Sequence, residues 1–330
     1  MRVERVVCPE PGRIELETAE LAAPGRGEVL VQTEVTAVSP GTERAWFLHE
    51  PNTPVQFPYH PGYCQVGRVA ALGPEARGLS EGDRVLTHAP HASAALVRAD
   101  RVQAVPSGVD PAAAVMAPLG QIALQGVRRA RIELGSATCV LGAGVIGGLA
   151  LKFAHLSGAW PLVAAEPSAW RRARAASYGA THTVGPDELE SLVPRLERRR
   201  SPDPGFDCVI DATGHPAALS TAIAVAASQA TLVLLGSTRG LADGVNVYDV
   251  HRKGLSIVGA HGRNAPPDRS QRAMWTVADD IDLVLRLTRN GRFTPGDLVT
   301  DIVRPADVPG VFERLGSRDE TLLGCIIDWR

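Results

Sequence analysis

The residues Leu141 to Gly148 read LGAGVIGG and place three glycines, Gly142, Gly144 and Gly147, in a GxGxxG pattern. An apolar run, Ala137 to Leu141, precedes them, and an apolar helix-like run, Val145 to His155, follows. Nineteen residues after Gly147, at the end of a second apolar run (Leu162 to Ala165), stands Glu166. A strand, a glycine turn, a helix and an acid at this offset form a fingerprint for a dinucleotide. Gly142 allows a tight turn, Gly144 a close approach of backbone to pyrophosphate, and Gly147 close packing of helix on sheet. The free N–H groups that open the helix, around Val145 and Ile146, suit a pyrophosphate.

Glu166 also bears on the choice of cofactor. A carboxylate there can accept from both ribose hydroxyls and repels a 2′-phosphate, so NAD is expected over NADP. Arg171 and Arg172 follow five and six residues on, where they could stack on adenine or bind a 2′-phosphate. Parallel sheets hold ligands at the carboxyl ends of their strands. Thr213 after Asp211, and Gly236, Ser237 and Thr238 after Leu235, are therefore expected to line the cofactor.

These residues need elements to position them. The first third reads as short β segments: Glu28 to Val38, Val66 to Leu72, Arg84 to Thr87 and Ala94 to Val97, with glycines between them. That predicts an antiparallel, barrel-like domain. From about Leu119 strands and helices alternate. Strands are expected at Ala137 to Leu141, Leu162 to Ala165, Thr181 to Val184, Phe206 to Asp211, Ala230 to Leu235 and Leu255 to Gly259. Helices are expected through Ala176, over Asp187 to Arg199 and over Ala217 to Ala227. The alternation predicts an α/β fold with a doubly wound parallel sheet. A helix over Val277 to Asn290 and β segments at Leu298 to Ile302 and Leu323 to Ile327 return the tail to the first domain. The division is thus 1–118 with 263–330, and 119–262.

Composition sets outer limits. The chain has 330 residues, enough for two cores. Lys and Arg number 34 against 36 Asp and Glu, so no net field draws in nucleic acid or an anionic membrane. The basic run Arg195 to Arg200 reads as a solvated helix end. The first residues show no apolar leader, and no apolar stretch of about 18 residues predicts a membrane span. Five scattered cysteines form no CxxC pair, which suits a reducing cytoplasm.

The segments GEVLVQTEVTAVSPGTE, PGYCQVGRVAALG and GDRV resemble the GroES-like catalytic domain of the medium-chain dehydrogenase/reductase superfamily. The fingerprint region resembles that superfamily's Rossmann domain, and APLGQIALQGVRRA resembles its polyol dehydrogenase branch. SPGTE and PGYxxVGRV are similar to a subgroup that includes bacteriochlorophyllide a dehydrogenase, which acts on a secondary hydroxyl group. The resemblance implies hydride transfer between a nicotinamide cofactor and an alcohol or ketone, and a homodimer or homotetramer. It also implies that Ala260 and His261, after the last strand, reach the nicotinamide.

The superfamily's zinc ligands do not carry over. Ser39, Tyr63, Cys64 and Ala117 occupy the places where ligands are expected, and the four-cysteine structural lobe is missing. Zinc needs three or four Cys, His or carboxylate donors, so a zinc-less member with no metal is expected. A side chain must then polarise the substrate oxygen. The catalytic candidates are Tyr63, His60, Thr42 and Ser39, with Tyr63 or His60 bonding the oxygen and Thr42 or Ser39, on a facing loop, relaying the proton. Tyr63 filling the vacated space is the competing reading. Glu43, Cys64, His88 and His91 join Ser39 and Tyr63 as substrate-pocket candidates, and Glu43 is expected to orient a neighbour or to pair with Arg44 or Arg68. The polar set favours a polyol, sugar or cyclitol. Alternatives are a zinc-less NADPH-dependent quinone or enone reductase, and a non-catalytic dinucleotide-binding protein.

Overall fold

The computed structural model describes residues 1–196, 203–262, 266 and 275–330. The chain begins with strands β1 (Arg2–Val7), β2 (Glu15–Glu20) and β3 (Glu28–Val38), helix α1 (Pro40–Phe47), and strands β4 (Gln65–Leu72), β5 (Arg84–Thr87), β6 (Ala94–Arg98) and β7 (Gln103–Ala104). Helices α2 (Pro111–Ala114) and α3 (Ala117–Ala130) follow. Next come β8 (Thr138–Leu141), α4 (Val145–Leu156), β9 (Leu162–Ala165), α5 (Ala169–Ala175), β10 (His182–Val184), α6 (Pro186–Leu192), β11 (Phe206–Asp211), α7 (Ala218–Val225), β12 (Ala226–Leu234), α8 (Val247–Lys253) and β13 (Ser256–Gly259). The tail holds α9 (Val277–Arg289), β14 (Val299–Val303), α10 (Val308–Gly316) and β15 (Gly324–Asp328).

Two compact units result, Met1–Pro118 with Ile281–Arg330, and Leu119–Asp280. The return therefore falls at Ile281, inside α9, rather than at 263. Residues 263–265 and 267–274 lie outside the described residues.

In the first unit a seven-stranded sheet runs β14-β15-β3-β4-β5-β7, with β6 also on β3, and β1 and β2 form a separate antiparallel pair. The strand β3 alternates, burying Val29, Val31 and Val35. Its end and β15 bury Val38, Cys325 and Ile327 in one core with Phe47, Phe312 and Leu315 of the flanking helices. Helix α10 was not read from the sequence. Helix α1 replaces the loop expected at Ser39–Glu43. Pro40 takes its first turn, where no N–H bond is lost, and Glu43 lies in that turn beside the positive end of the helix dipole.

In the second unit all pairings are parallel and the order is β10-β9-β8-β11-β12-β13. Numbered from β8, this is the 3-2-1-4-5-6 order of dinucleotide-binding sheets, with its switch point between β8 and β11. Strands β8 and β9 are buried at every residue, as expected for a sheet covered on both faces. Ala226 and Ala227, expected to end a helix, open β12 instead. Helix α6 stops at Leu192; residues 197–199 of the charged helix expected over Asp187 to Arg199, and 197–200 of the basic run, lie outside the described residues. No helix among the described residues is long and apolar enough to cross a membrane.

Candidate active site

The switch point of the second unit carries the glycine fingerprint. Gly142 turns with a φ of 87° directly after β8. Gly147 lies so close beneath it that a Cβ there would stand 1.9 Å from the Gly142 carbonyl oxygen. Gly144 differs: it caps α4 without a side-chain bond, and a Cβ there would meet nothing nearer than Arg171 Nη1 at 3.9 Å. The N-terminus of a twelve-residue helix thus faces open space bordered by a guanidinium, over Val145 and Ile146. This cradle fits a pyrophosphate.

The neighbouring strand ends close around it. A Cβ at Gly142 would touch Thr213, and one at Gly236 would press on the Gly214 N–H. Thr213 is fixed by two bonds donated to Asp211 Oδ1, from its N–H at 2.9 Å and its hydroxyl at 2.6 Å. Ser237 follows, its carbonyl oxygen 2.8 Å from where a Cβ on Gly214 would lie. Thr238, Arg171 and His261 have interactions of their own. Ala260 is buried beyond β13, its N–H bonded to the Leu234 carbonyl.

Glu166 is more committed than its position suggests. Its carboxylate accepts from the Ala143 N–H at 2.7 Å and the Ser168 N–H at 3.0 Å, and the residue is buried. It ties the glycine turn to the end of β9, leaving one further lone pair on each oxygen for a ribose hydroxyl. Arg172 Nη1 is spent on the carbonyls of Glu166 and Pro167.

The first unit brings together most of the expected pocket residues. Tyr63 donates its hydroxyl to Ser39 Oγ at 2.6 Å. Desolvation holds the Tyr63 phenol well above its ordinary pKa, with the negative charge of Glu43 adding and bonds from Ser39 and Thr42 opposing. Tyr63 is therefore a neutral donor near pH 7. Burial likewise pushes up the thiol of Cys64. His88 Nδ1 lies 3.0 Å from the Tyr63 carbonyl oxygen.

Behind this pair runs a buried chain. Glu43 accepts from the Ser39 N–H at 2.7 Å, and its other oxygen meets His91 Nε2 at 2.8 Å. His91 Nδ1 is 2.8 Å from Thr36 Oγ1, which accepts from Trp329 Nε1 at 3.1 Å. An indole N–H only donates, so the Thr36 hydroxyl proton is free to face Nδ1, leaving Nε2–H for the carboxylate. Gly62 makes room: its φ is 100°, and a Cβ there would strike the His91 ring at 2.7 Å.

Three expectations change. His60 does not stand ready for substrate, because its Nε2 is 2.9 Å from Glu17 Oε1, which also takes Arg5. Glu43 pairs with His91, whereas Arg44 pairs with Glu50 and Arg68 with Glu34. His91 is fully buried and belongs to the support rather than to the pocket lining. Thr36 and Trp329 were missed. They lie 55 and 238 residues from His91 in the chain, and no local pattern connects them.

The donors do not fit zinc. Ser39 and Tyr63 offer hydroxyls already bonded to each other and Ala117 has no donor, so Cys64 is left alone where three or four donors are needed. Among the described residues no three His, Cys, Asp or Glu side chains converge on a metal position.

Comparison with known proteins agrees with this architecture. A model of the alcohol dehydrogenase GroES-like domain matches residues 25–124, and one named zinc-binding dehydrogenase matches 145–279. D-guloside 3-dehydrogenase of Escherichia coli K12 is 25% identical over 253 residues, 75% of this chain and 71% of that protein. The 2-desacetyl-2-hydroxyethyl bacteriochlorophyllide A dehydrogenase of Cereibacter sphaeroides is 23% identical over 100% of this chain and 99% of its own. A solved structure assigned as a zinc-binding dehydrogenase of Sinorhizobium meliloti 1021, bound to NADP, superposes with a TM-score of 0.82 at 21% identity, over 99% of both chains. The chain belongs to the medium-chain dehydrogenase/reductase superfamily. It is an NAD(P)-dependent oxidoreductase of the alcohol dehydrogenase type.

Proposed function

We propose that this chain is a zinc-independent, NAD-preferring dehydrogenase that interconverts a secondary alcohol of a polyol, sugar or cyclitol and its ketone. The carrying observation is the hydroxyl pair Tyr63–Ser39, bonded at 2.6 Å where relatives of this superfamily would place metal donors. A bound nicotinamide supplies the hydride acceptor. Tyr63, kept neutral, turns its one proton from Ser39 Oγ to the substrate oxygen, and Ser39, at the N-cap of α1, then donates its own hydroxyl to the phenol oxygen. Such a donor stabilises charge developing on the oxygen. The polar groups around it suit a hydroxylated substrate, as does the likeness to a sugar dehydrogenase.

The preference for NAD rests on Glu166, whose carboxylate disfavours a 2′-phosphate; the Sinorhizobium neighbour was solved with NADP. The test is a turnover screen of polyols and cyclitols with NAD and NADP, beside metal analysis of the purified protein. NAD-dependent oxidation without bound metal is expected. Stoichiometric zinc, or turnover confined to NADPH with quinones and enones, overturns the reading.

Self-association through the second unit belongs to the same proposal. Strand β13 is an edge strand and Ile257 on it is exposed, and Leu241, Val247 and Tyr248, earlier in the same unit's sequence, are exposed too. Light scattering of an Ile257→Asp variant is expected to show monomers where the parent chain shows dimers or tetramers. The free, buried cysteines fit a reducing cytoplasm.

A further inference from the structure

A neutral phenol explains how the oxygen is polarised but not where the hydroxyl proton goes. Oxidation requires a base, and most polar groups in the first unit are already engaged. His91 uses both ring nitrogens, on Thr36 and Glu43. His60 is paired with Glu17. Glu43 holds the Ser39 N–H and His91, and the Cys64 thiol is buried and protonated.

His88 is different. It follows β5, is exposed, and has one hydrogen bond, from Nδ1 to the Tyr63 carbonyl. A carbonyl oxygen only accepts, so in that bond Nδ1 carries the proton. The ring is then the Nδ1–H tautomer, and Nε2 offers an unprotonated lone pair. Among the described residues Nε2 has no partner. The residue that supplies the hydrogen-bond donor, Tyr63, is thus also the one that sets the tautomer of its neighbour.

We propose that His88 Nε2 is the base that takes the substrate's hydroxyl proton, an inference that rests on the alcohol dehydrogenase reading above. In oxidation the O–H bond breaks towards Nε2, the carbinol C–H bond breaks with its electron pair leaving as hydride to the nicotinamide, and the C=O bond forms. The proton on Nε2 then passes to water, which reaches this exposed ring. Ketone reduction runs the same transfers backwards, with His88 as the acid.

Surroundings keep the ring neutral. Desolvation lowers its pKa, the Tyr63 carbonyl opposes, and the charge of Arg101, just beyond β6, lowers it further. Alcohol oxidation should therefore hold its rate at neutral pH and fall in acid, as Nε2 is protonated.

The test uses two variants of the full chain. His88→Asn keeps a donor for the Tyr63 carbonyl and removes the base. His88→Ala leaves space for added imidazole. His88→Asn is expected to lose about 10²–10⁴-fold in kcat for alcohol oxidation, the range of a positioned base, with the NAD dissociation constant unchanged. Imidazole should restore part of the rate to His88→Ala, more as its neutral fraction rises with pH, which a structural role would not produce. Full turnover by His88→Asn with the parental pH profile overturns the proposal and leaves the dehydrogenase reading standing. A parental chain that binds NAD but oxidises no alcohol overturns both.

Discussion

The glycine cradle and the hydroxyl pair solve opposite problems. At the cradle the working groups are backbone N–H groups, and side chains must be kept away: Gly142 needs its positive φ, Gly147 its contact with Gly142, and Gly144 its open face. At the hydroxyl pair the working groups are side chains, and they are held by other side chains from strands, helix and C-terminus: Ser39, Glu43, His91, Thr36 and Trp329. A backbone site tolerates no added atom. A side-chain site tolerates no missing partner.

The largest effect should come from removing such a partner. His91→Ala leaves the Glu43 carboxylate buried with one donor fewer. Removing the neutral imidazole that donates to a buried carboxylate costs about 1.5–3 kcal/mol. Urea denaturation should show that loss, and adding Glu43→Gln should recover part of it, since the uncompensated charge then goes. No recovery would mean that the vacated space, rather than the charge, carries the cost.

Two glycine substitutions sharpen the other side. Gly147→Ala puts a Cβ on the Gly142 carbonyl and should cost at least the roughly 1–3 kcal/mol of overpacking. Gly144→Ala meets no such obstacle. It should leave stability within about 0.5 kcal/mol while weakening NAD binding about tenfold, or about 1.4 kcal/mol. Calorimetric titration beside denaturation separates the two. Equal losses of stability would mean that Gly144 also serves packing and not the ligand.

Tyr63→Phe then tests the donor itself. It should lower kcat about 10–100-fold and leave KM and NAD affinity nearly unchanged, because the bond is strengthened only as charge develops on the oxygen. A rise in KM alone would make Tyr63 a binding residue.

The same contrast governs what could be read from sequence. Both sheets were legible, because period-two strands and continuous apolar strands are local patterns, and so was the fingerprint, where three glycines and an acid lie within one short stretch. What joins Glu43 to His91, and His91 to Thr36 and Trp329, was not, since each contact closes a long loop of chain. Helix α1 was misread as a loop because SPGTE looks like a turn until Pro40 is recognised as its first residue. From the sequence His60 reads as a catalytic candidate and His88 only as a pocket residue. What separates them in the structure is Glu17, which arrives from β2, and the direction of the Tyr63 carbonyl.

The smallest effect tests burial against exposure directly, within the same unit as the Glu43–His91 pair. Asp319 accepts from the Thr321 hydroxyl and N–H and from Arg314 Nε, the last at 2.7 Å, in a half-exposed setting. The Thr321 hydroxyl bond, then Arg314, brings its pKa from the ordinary 3.8 to about 2. A folded pKa below the unfolded value means that the carboxylate's contribution is fully present above the unfolded pKa. It is lost as pH falls from there through about 2. Water screens the charge, so the contribution is that of a surface pair, under about 1 kcal/mol. Asp319→Asn should therefore lower stability at pH 7 by less than this, against about 1.5–3 kcal/mol for His91→Ala. The difference should shrink as pH falls below the unfolded pKa and vanish only below about 2. Added salt should erode the Arg314 share of it while leaving the cost of His91→Ala in place, because only the exposed pair lies within reach of the counterions.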